Sequence, residues 1–167
     1  MLKRTLLKSI CALPLWSWPE MSGAAGQITE RDVSFDWRHT RDRLVCTFHA
    51  PTCGWLAVGF NAERTLKGTR FVIAARADDT LLVEEHIAIV PGHDPVEKLG
   101  LSRAVTRAEV VHTPGGSQLR FAYPLTFPDQ PRLSLAPKMA THLLLAWSQD
   151  TDFDHHSAWR KHYDITL

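Results

Sequence analysis

A polar segment near the end of the chain holds the side chains best suited to binding a metal or a cofactor. It carries aspartates at alternate positions, Asp150, Asp152 and Asp154, followed directly by His155 and His156. Carboxylate oxygens bind hard cations such as calcium and magnesium, whereas imidazole nitrogens bind zinc, copper or iron. This segment is therefore the first place in the chain to look for a site.

The spacing in this segment matches no complete metal motif. A calcium loop needs glycine after its third acidic position and a terminal glutamate, but His155 follows Asp154 and Lys161 stands at the terminal position. A zinc site needs three or four ligands. The other loops offer three histidines without ligand-like spacing, His86, His93 and His112. From these patterns alone, His155 and His156 are two solvated loop histidines.

The strand that organises the chain lies earlier, at residues 55–60. Every residue between Trp55 and Phe60 is apolar or glycine, so both faces of a strand here are apolar. Such a strand is buried on both sides. It stops at Asn61, and a polar loop follows before the next apolar run at residues 71–75. Loops that follow central strands are common places for binding sites.

The rest of the chain reads as short strands separated by turns. Val33, Phe35 and Trp37 alternate with polar residues, which is the period of a half-buried strand. Further strands are predicted at residues 44–48, 70–75, 81–90, 104–112, 118–124, 143–148 and 163–167. No window of about twelve residues keeps a helical period. The pattern favours an all-β sandwich or barrel in a single domain, residues 26–167.

The first 25 residues are predicted to be a signal peptide. They combine basic residues, an apolar stretch at residues 10–18 and small residues before Gly26. The apolar stretch is too short to cross a bilayer as a helix. We expect cleavage after Ala24 or Ala25 and a periplasmic or secreted protein; a retained amphipathic anchor is the alternative. Cys11 lacks the preceding small residue of a lipoprotein signal.

Charge and cysteine content narrow the possible partners. The formal net charge is +1, with acidic and basic residues interspersed. No basic stripe indicates nucleic acid, and no polybasic patch indicates a membrane surface. Cys46 and Cys53 flank a short polar segment that could be a hairpin connection. They could pair as a disulfide in an exported protein or remain two buried thiols.

The sequence offers no arrangement typical of an enzyme. No nucleophile has a neighbouring base, no two carboxylates are paired by spacing, and no glycine-rich loop suits a phosphate. We therefore predict a protein that binds or carries rather than one that catalyses.

Three segments, taken in order, resemble the DOMON domain family. They are CGWLAVGFN at residues 53–61, KGTRFVI at residues 67–73, and LAW at residues 145–147, which is followed by a histidine and a terminal strand. The resemblance covers residues 33–167. It implies an immunoglobulin-like β-sandwich.

The resemblance also implies a cofactor site. In the branch typified by the cytochrome domain of cellobiose dehydrogenase, a b-type haem lies in a pocket at one end of the sandwich between an axial methionine and an axial histidine. His156 matches the histidine, with His155 as the second choice, and Leu66 occupies the methionine position. Leucine cannot ligate iron. Trp159, which follows the histidines, is expected near the pocket.

Several functions follow from this resemblance. The first is electron transfer with a redox partner protein, in which haem b is held by His156 alone or with His93 or His86 as second ligand. Arg160 could then meet a haem propionate. The second is a haem-free module that binds a sugar or another small ligand, with a stacking face supplied by Trp55, Trp147 or Trp159. The third is a secreted interaction domain that binds no cofactor.

Overall fold

The computed structural model describes Gly23 and residues 25–167. Most of the predicted signal peptide, residues 1–22 and 24, lies outside these residues. The described chain forms eleven strands and a short 3₁₀ helix at Glu97–Leu99. The strands are β1 (Ala25–Glu30), β2 (Val33–His39), β3 (Arg43–Ala50), β4 (Leu56–Asn61), β5 (Arg70–Ala77), β6 (Thr80–Ala88), β7 (His93–Pro95), β8 (Thr106–Thr113), β9 (Gly116–Pro124), β10 (Ala140–Trp147) and β11 (Trp159–Thr166).

The strands form two antiparallel sheets that pack as a sandwich. The five-stranded sheet has the order β1-β2-β3-β9-β8, and the six-stranded sheet has the order β11-β10-β4-β5-β6-β7. The predicted all-β sandwich is confirmed. No helix among the described residues is long and apolar enough to cross a membrane.

The two sheets differ in how their faces are buried. In β2, Val33, Phe35 and Trp37 are buried, while the residues between them are half-buried. Every residue of β4 is buried. Leu56, Val58 and Phe60 point into the main core between the sheets, whereas Ala57 belongs to a second apolar cluster. The outer face of the six-stranded sheet is therefore apolar as well.

The connection between β3 and β4 crosses from one sheet to the other, so the expected hairpin around the two cysteines is wrong. Cys46 lies in β3 of the five-stranded sheet, where it pairs with Trp37 of β2 on one side and with Phe121 of β9 on the other. Both cysteines are free; Cys46 is buried and Cys53 is exposed. Burial raises the pKa of the Cys46 thiol well above its usual value. The two side chains therefore occupy different environments and form no disulfide.

A buried ion pair ties β5 to β6 and to the segment before β8. Arg70 Nε donates to Glu85 Oε1, and both side chains are almost completely buried. Arg70 Nη1 also donates to Asp129 Oδ1 at 2.8 Å. Glu85 Oε2 accepts the backbone N–H groups of Ala104 at 2.7 Å and Val105 at 2.8 Å. Both charges are therefore compensated, which a buried charge requires.

We predict that Arg70→Met lowers the free energy of unfolding by about 3–5 kcal/mol, because Glu85 is left buried without its cation. Urea denaturation measures the change. Arg132→Met is the matched control, since the Arg132–Glu63 pair is exposed at 3.3 Å and should contribute less than about 1 kcal/mol. Equal losses in the two variants would contradict a special role for the buried pair.

The two tyrosines give a prediction about pH. Burial raises the pKa of Tyr123 well above its usual value. Burial, and then the hydrogen bond to Glu30, raise the pKa of Tyr163 to about 12. Above about pH 10 the unfolded chain loses phenol protons that the folded chain keeps, so the free energy of unfolding decreases as pH rises from there towards 12.

The tyrosinate absorbance of the folded protein, followed on raising the pH, checks this prediction. We expect no ionisation step near pH 10, and Tyr163→Phe should remove the step near pH 12. A full step at the pKa of free tyrosine, while circular dichroism still reports folded protein, would show that neither phenol is shielded.

Candidate functional site

A cavity of about 500 Å³ lies on the outer face of the six-stranded sheet. Its lining residues come from the sheet and from four connecting segments. They are Trp55, Ala57, Leu66, Phe71, Ile73, Ala88, Gly92, His93, Leu144, Ala146, Asp154, His155, His156, Ser157 and Arg160. The cavity therefore combines an apolar floor with histidines and two charged groups.

Neighbouring apolar residues of three adjacent strands form the floor of the cavity. Ala57 of β4 pairs with Ala146 of β10 on one side and with Ile73 of β5 on the other. All three are buried. In the next row, a Cβ atom added to Gly59 would lie only 2.8 Å from the Cβ atom of Phe71. The sheet thus offers an apolar surface against which a flat group could lie.

Loops from opposite ends of the sheet reach this cavity. β4 and β10 are antiparallel, so the loop after β4 and the loop after β10 leave the sheet in opposite directions. The first loop contributes Leu66, and the second contributes His155 and His156. The cavity accordingly lies on a face of the sandwich, whereas the family resemblance led us to expect a pocket at one end.

The loop that carries Leu66 is held by the side chain at the end of β4. Asn61 Nδ2 donates to the carbonyl oxygens of Thr65 at 2.7 Å and Lys67 at 3.0 Å. The backbone N–H of Thr69 donates to the carbonyl of Leu66 at 3.0 Å. These bonds fold the loop back on itself. Leu66 then packs against the apolar cluster of the outer face.

The loop that carries the histidines is fastened to the start of β4. The N–H of Trp55 donates to the carbonyl of Asp150 at 2.8 Å, and the N–H of Ser148 donates to the carbonyl of Trp55 at 3.0 Å. A Cβ atom added to Gly54 would lie 2.3 Å from the carbonyl oxygen of Ser148. This close approach requires glycine, which explains the Gly-Trp pair that opens the strand.

The three alternating aspartates shape the loop. Asp150 Oδ1 accepts the N–H of Asp152 at 2.9 Å, and Asp152 Oδ1 accepts the N–H of Asp154 at 3.0 Å. These are local side-chain-to-backbone turns, which Asp favours. Across residues 25–167, no group of three or more His, Cys, Asp or Glu side chains is arranged to hold a metal ion.

His155 and His156 both line the cavity and are both exposed, but their surroundings differ. His155 Nδ1 lies 3.7 Å from Asp150 Oδ2 and 3.6 Å from Asp152 Oδ2. The ring of His156 makes no hydrogen bond or ion pair with any residue that the structure describes. His156 is therefore the imidazole that remains available to a ligand.

A third histidine, His93 of β7, lines the same cavity. Its Nδ1 atom lies 2.7 Å from Nδ1 of His86, and Nε2 of His86 lies 2.7 Å from Glu84 Oε2. The Phe71 ring meets the His93 ring edge-on, with centroids 5.2 Å apart. Burial, and then the neighbouring His86, lower the pKa of His93. Of the two histidines suggested as second ligand, His93 lines the cavity, whereas His86 contacts His93 and does not line the cavity.

Trp159, expected near the pocket, lies elsewhere. It pairs with Trp147 at the end of β10 and packs against the main core between the sheets. Because side chains alternate along a strand, the next residue, Arg160, points to the outer face and lines the cavity.

Trp55, one of the tryptophans that the sequence offers as a stacking face, is buried and forms part of the cavity wall. The apolar floor beside it was not predicted. The sequence feature that indicates this surface is the run at residues 55–60, which makes both faces of the strand apolar. One face of that strand must be covered by something other than the second sheet.

No protein-family model matches the sequence, and no curated protein is significantly similar to it. Among solved structures, the fold is similar to the cytochrome b domain of pyranose dehydrogenase from Coprinopsis cinerea. The TM-score is 0.59 over 84% of this chain and 80% of that chain, with 9% sequence identity. At this identity the similarity establishes a shared fold. The chain therefore has a cytochrome b-like sandwich fold, which supports the resemblance to DOMON domains at the level of architecture.

Proposed function

We propose that this protein is an exported b-type haem-binding module that carries single electrons, with His156 as an axial ligand. The observation that supports it most is the unengaged imidazole of His156 on the wall of a large, apolar-floored cavity. A free imidazole beside an apolar surface is the minimum that a haem site requires. The fold shared with a cytochrome b domain agrees with this proposal.

The residues around the cavity fit a haem group. Haem is flat and largely apolar, and the floor at Ala57, Ala146 and Ile73 is apolar and formed by adjacent strands of one sheet. The volume of about 500 Å³ falls within the range of roughly 300–1,000 Å³ typical of ligand sites. Arg160 on the wall offers a guanidinium group for a carboxylate such as a propionate.

When bound, haem would supply reversible one-electron chemistry at iron. The chain's own residues would hold and tune it. The backbone pairing of Trp55 with Ser148 and Asp150 fixes the loop that presents His156. The apolar floor would keep water from one side of the group, and burial of that kind is one of the factors that set a haem potential. Leu66 would contribute only apolar contact.

Electron transfer also requires a partner protein, and we propose a redox partner outside the cytoplasm. The basic and apolar composition of residues 1–25 supports export. N-terminal sequencing of protein recovered from the periplasm or medium should give a chain that starts at Ala25 or Gly26. Recovery only in the cytoplasm with Met1 intact would contradict export.

A haem-free small-ligand site is the alternative. Trp55 on the wall could stack on a sugar ring, and Asp154 and Arg160 could bind its hydroxyl groups. The same cavity would serve, so spectroscopy decides between the two functions.

We predict that the purified protein, produced with haem supplied, binds about one haem per chain and shows a Soret band that shifts on reduction with dithionite. In His156→Ala the affinity for haem should fall by more than the roughly 10- to 100-fold loss that removal of an outer-shell partner causes, because a direct ligand is lost. His155→Ala is the matched control and should keep the band.

A colourless protein that is folded by circular dichroism would contradict haem binding and favour the sugar-binding alternative. Loss of the Soret band in His155→Ala but not in His156→Ala would show that His155, and not His156, is the iron ligand.

A further inference from the structure

His93 is linked through His86 to Glu84 by a chain of polar contacts. The proposed function assigns no role to these contacts. Strands β6 and β7 pair Ala88 with His93 and His86 with Pro95, so both histidines lie on the outer face of the sheet. Glu84, two residues before His86, lies on that face too. The result is a Glu84–His86–His93 row that ends at the cavity.

The protons in this row can be placed by elementary chemistry. An ionised carboxylate can only accept, so His86 Nε2 carries the proton that bonds Glu84 Oε2 at 2.7 Å. With His86 neutral, its Nδ1 is a bare acceptor. His93 Nδ1 must then donate to it across 2.7 Å. The Nε2 atom of neutral His93 is left with a lone pair and no proton.

We propose that His93 is the second axial ligand to the haem iron, and that Glu84 and His86 hold it in the tautomer that binds metal through Nε2. The inference rests on the proposed haem-binding function. Metal-ligating histidines usually donate their other ring N–H to a carboxylate, carbonyl or similar acceptor. The row supplies such an acceptor, and no described residue forms a hydrogen bond with His93 Nε2.

The placement of His93 suits this role better than that of the other candidates. His93 and His156 reach the same cavity from different elements, β7 and the loop after β10. His86 does not line that cavity, and Met139 lies outside it in the segment before β10. Leu66 has no lone pair. Two imidazoles would therefore replace the methionine and histidine that the family resemblance implied.

The test compares the oxidised spectra of haem-loaded wild-type protein and His93→Ala, by absorption and electron paramagnetic resonance. The inference predicts low-spin, six-coordinate iron in the wild type. His93→Ala should either become high-spin or bind haem at least about tenfold more weakly, and added imidazole should restore the low-spin signal. His112→Ala, a histidine of β8 bonded to Ser117 and outside the cavity, should match the wild type.

His86→Leu tests the positioning part of the inference. It removes the acceptor for His93 Nδ1 while leaving His93 and His156 in place. We expect a higher reduction potential, because an imidazole without its acceptor donates less electron density to iron. An unchanged potential in folded, haem-loaded His86→Leu would remove the tautomer-setting role.

The outcomes separate this inference from the function on which it rests. High-spin iron in the wild type, or an unchanged low-spin spectrum and haem affinity in His93→Ala, would overturn His93 as a ligand while haem binding through His156 stands. A wild-type protein that binds no haem would overturn both.

Discussion

The six-stranded sheet has two apolar faces, and the second sheet covers only one of them. The inward residues of β4 belong to the main core, while Trp55, Ala57 and their neighbours form a separate cluster on the other side. Contiguous apolar surface of this kind needs cover or a ligand. Here the cover is partial, since β7 and the connecting segments surround a cavity. The candidate site follows from this imbalance between the two faces.

Backbone hydrogen bonds and a buried ion pair hold the elements around the cavity in place. Gly54 permits the close approach of the histidine-bearing loop to the start of β4. On the far side, Arg70 and Glu85 hold β5 and β6 together from within the core, and β6 carries β7 with His93. A binding site requires that the side chains touching the ligand are held rigidly in place. The stability of the core and the geometry of the site are therefore linked through β5 and β6.

Much of the fold could be predicted because burial on one face leaves a two-residue period in the sequence. Strand β2 shows this period clearly, and β3 shows it except at Val45, which is also buried. Strand β7 has only three half-buried residues and leaves no such signal, and β1 alternates between exposed and half-buried residues. The partner of each strand is not encoded locally, so the sequence suggests a hairpin between Cys46 and Cys53 although the connection joins two sheets.

The candidate site was predictable in its residue types but not in its geometry. The loop with His155 and His156 was identifiable from composition, and the doubly apolar run at residues 55–60 indicated an extra buried face. The expected position of Trp159 was wrong because the register of β11 decides which of its residues face the cavity. That register directs Trp159 to the core between the sheets. The contact of His93 with His86 arises from pairing between β6 and β7, which no spacing in the sequence reveals.

The ligand is expected to bind in the cavity on the outer face of the six-stranded sheet. Haem titration of Ala57→Phe, followed by the Soret band, tests this because the new ring would fill the cavity floor. Ala77→Phe makes the same change in β5 outside the cavity. We expect Ala57→Phe to stay folded by circular dichroism and to lose haem, while Ala77→Phe binds haem normally. Wild-type haem affinity in folded Ala57→Phe would show that haem does not bind in this cavity.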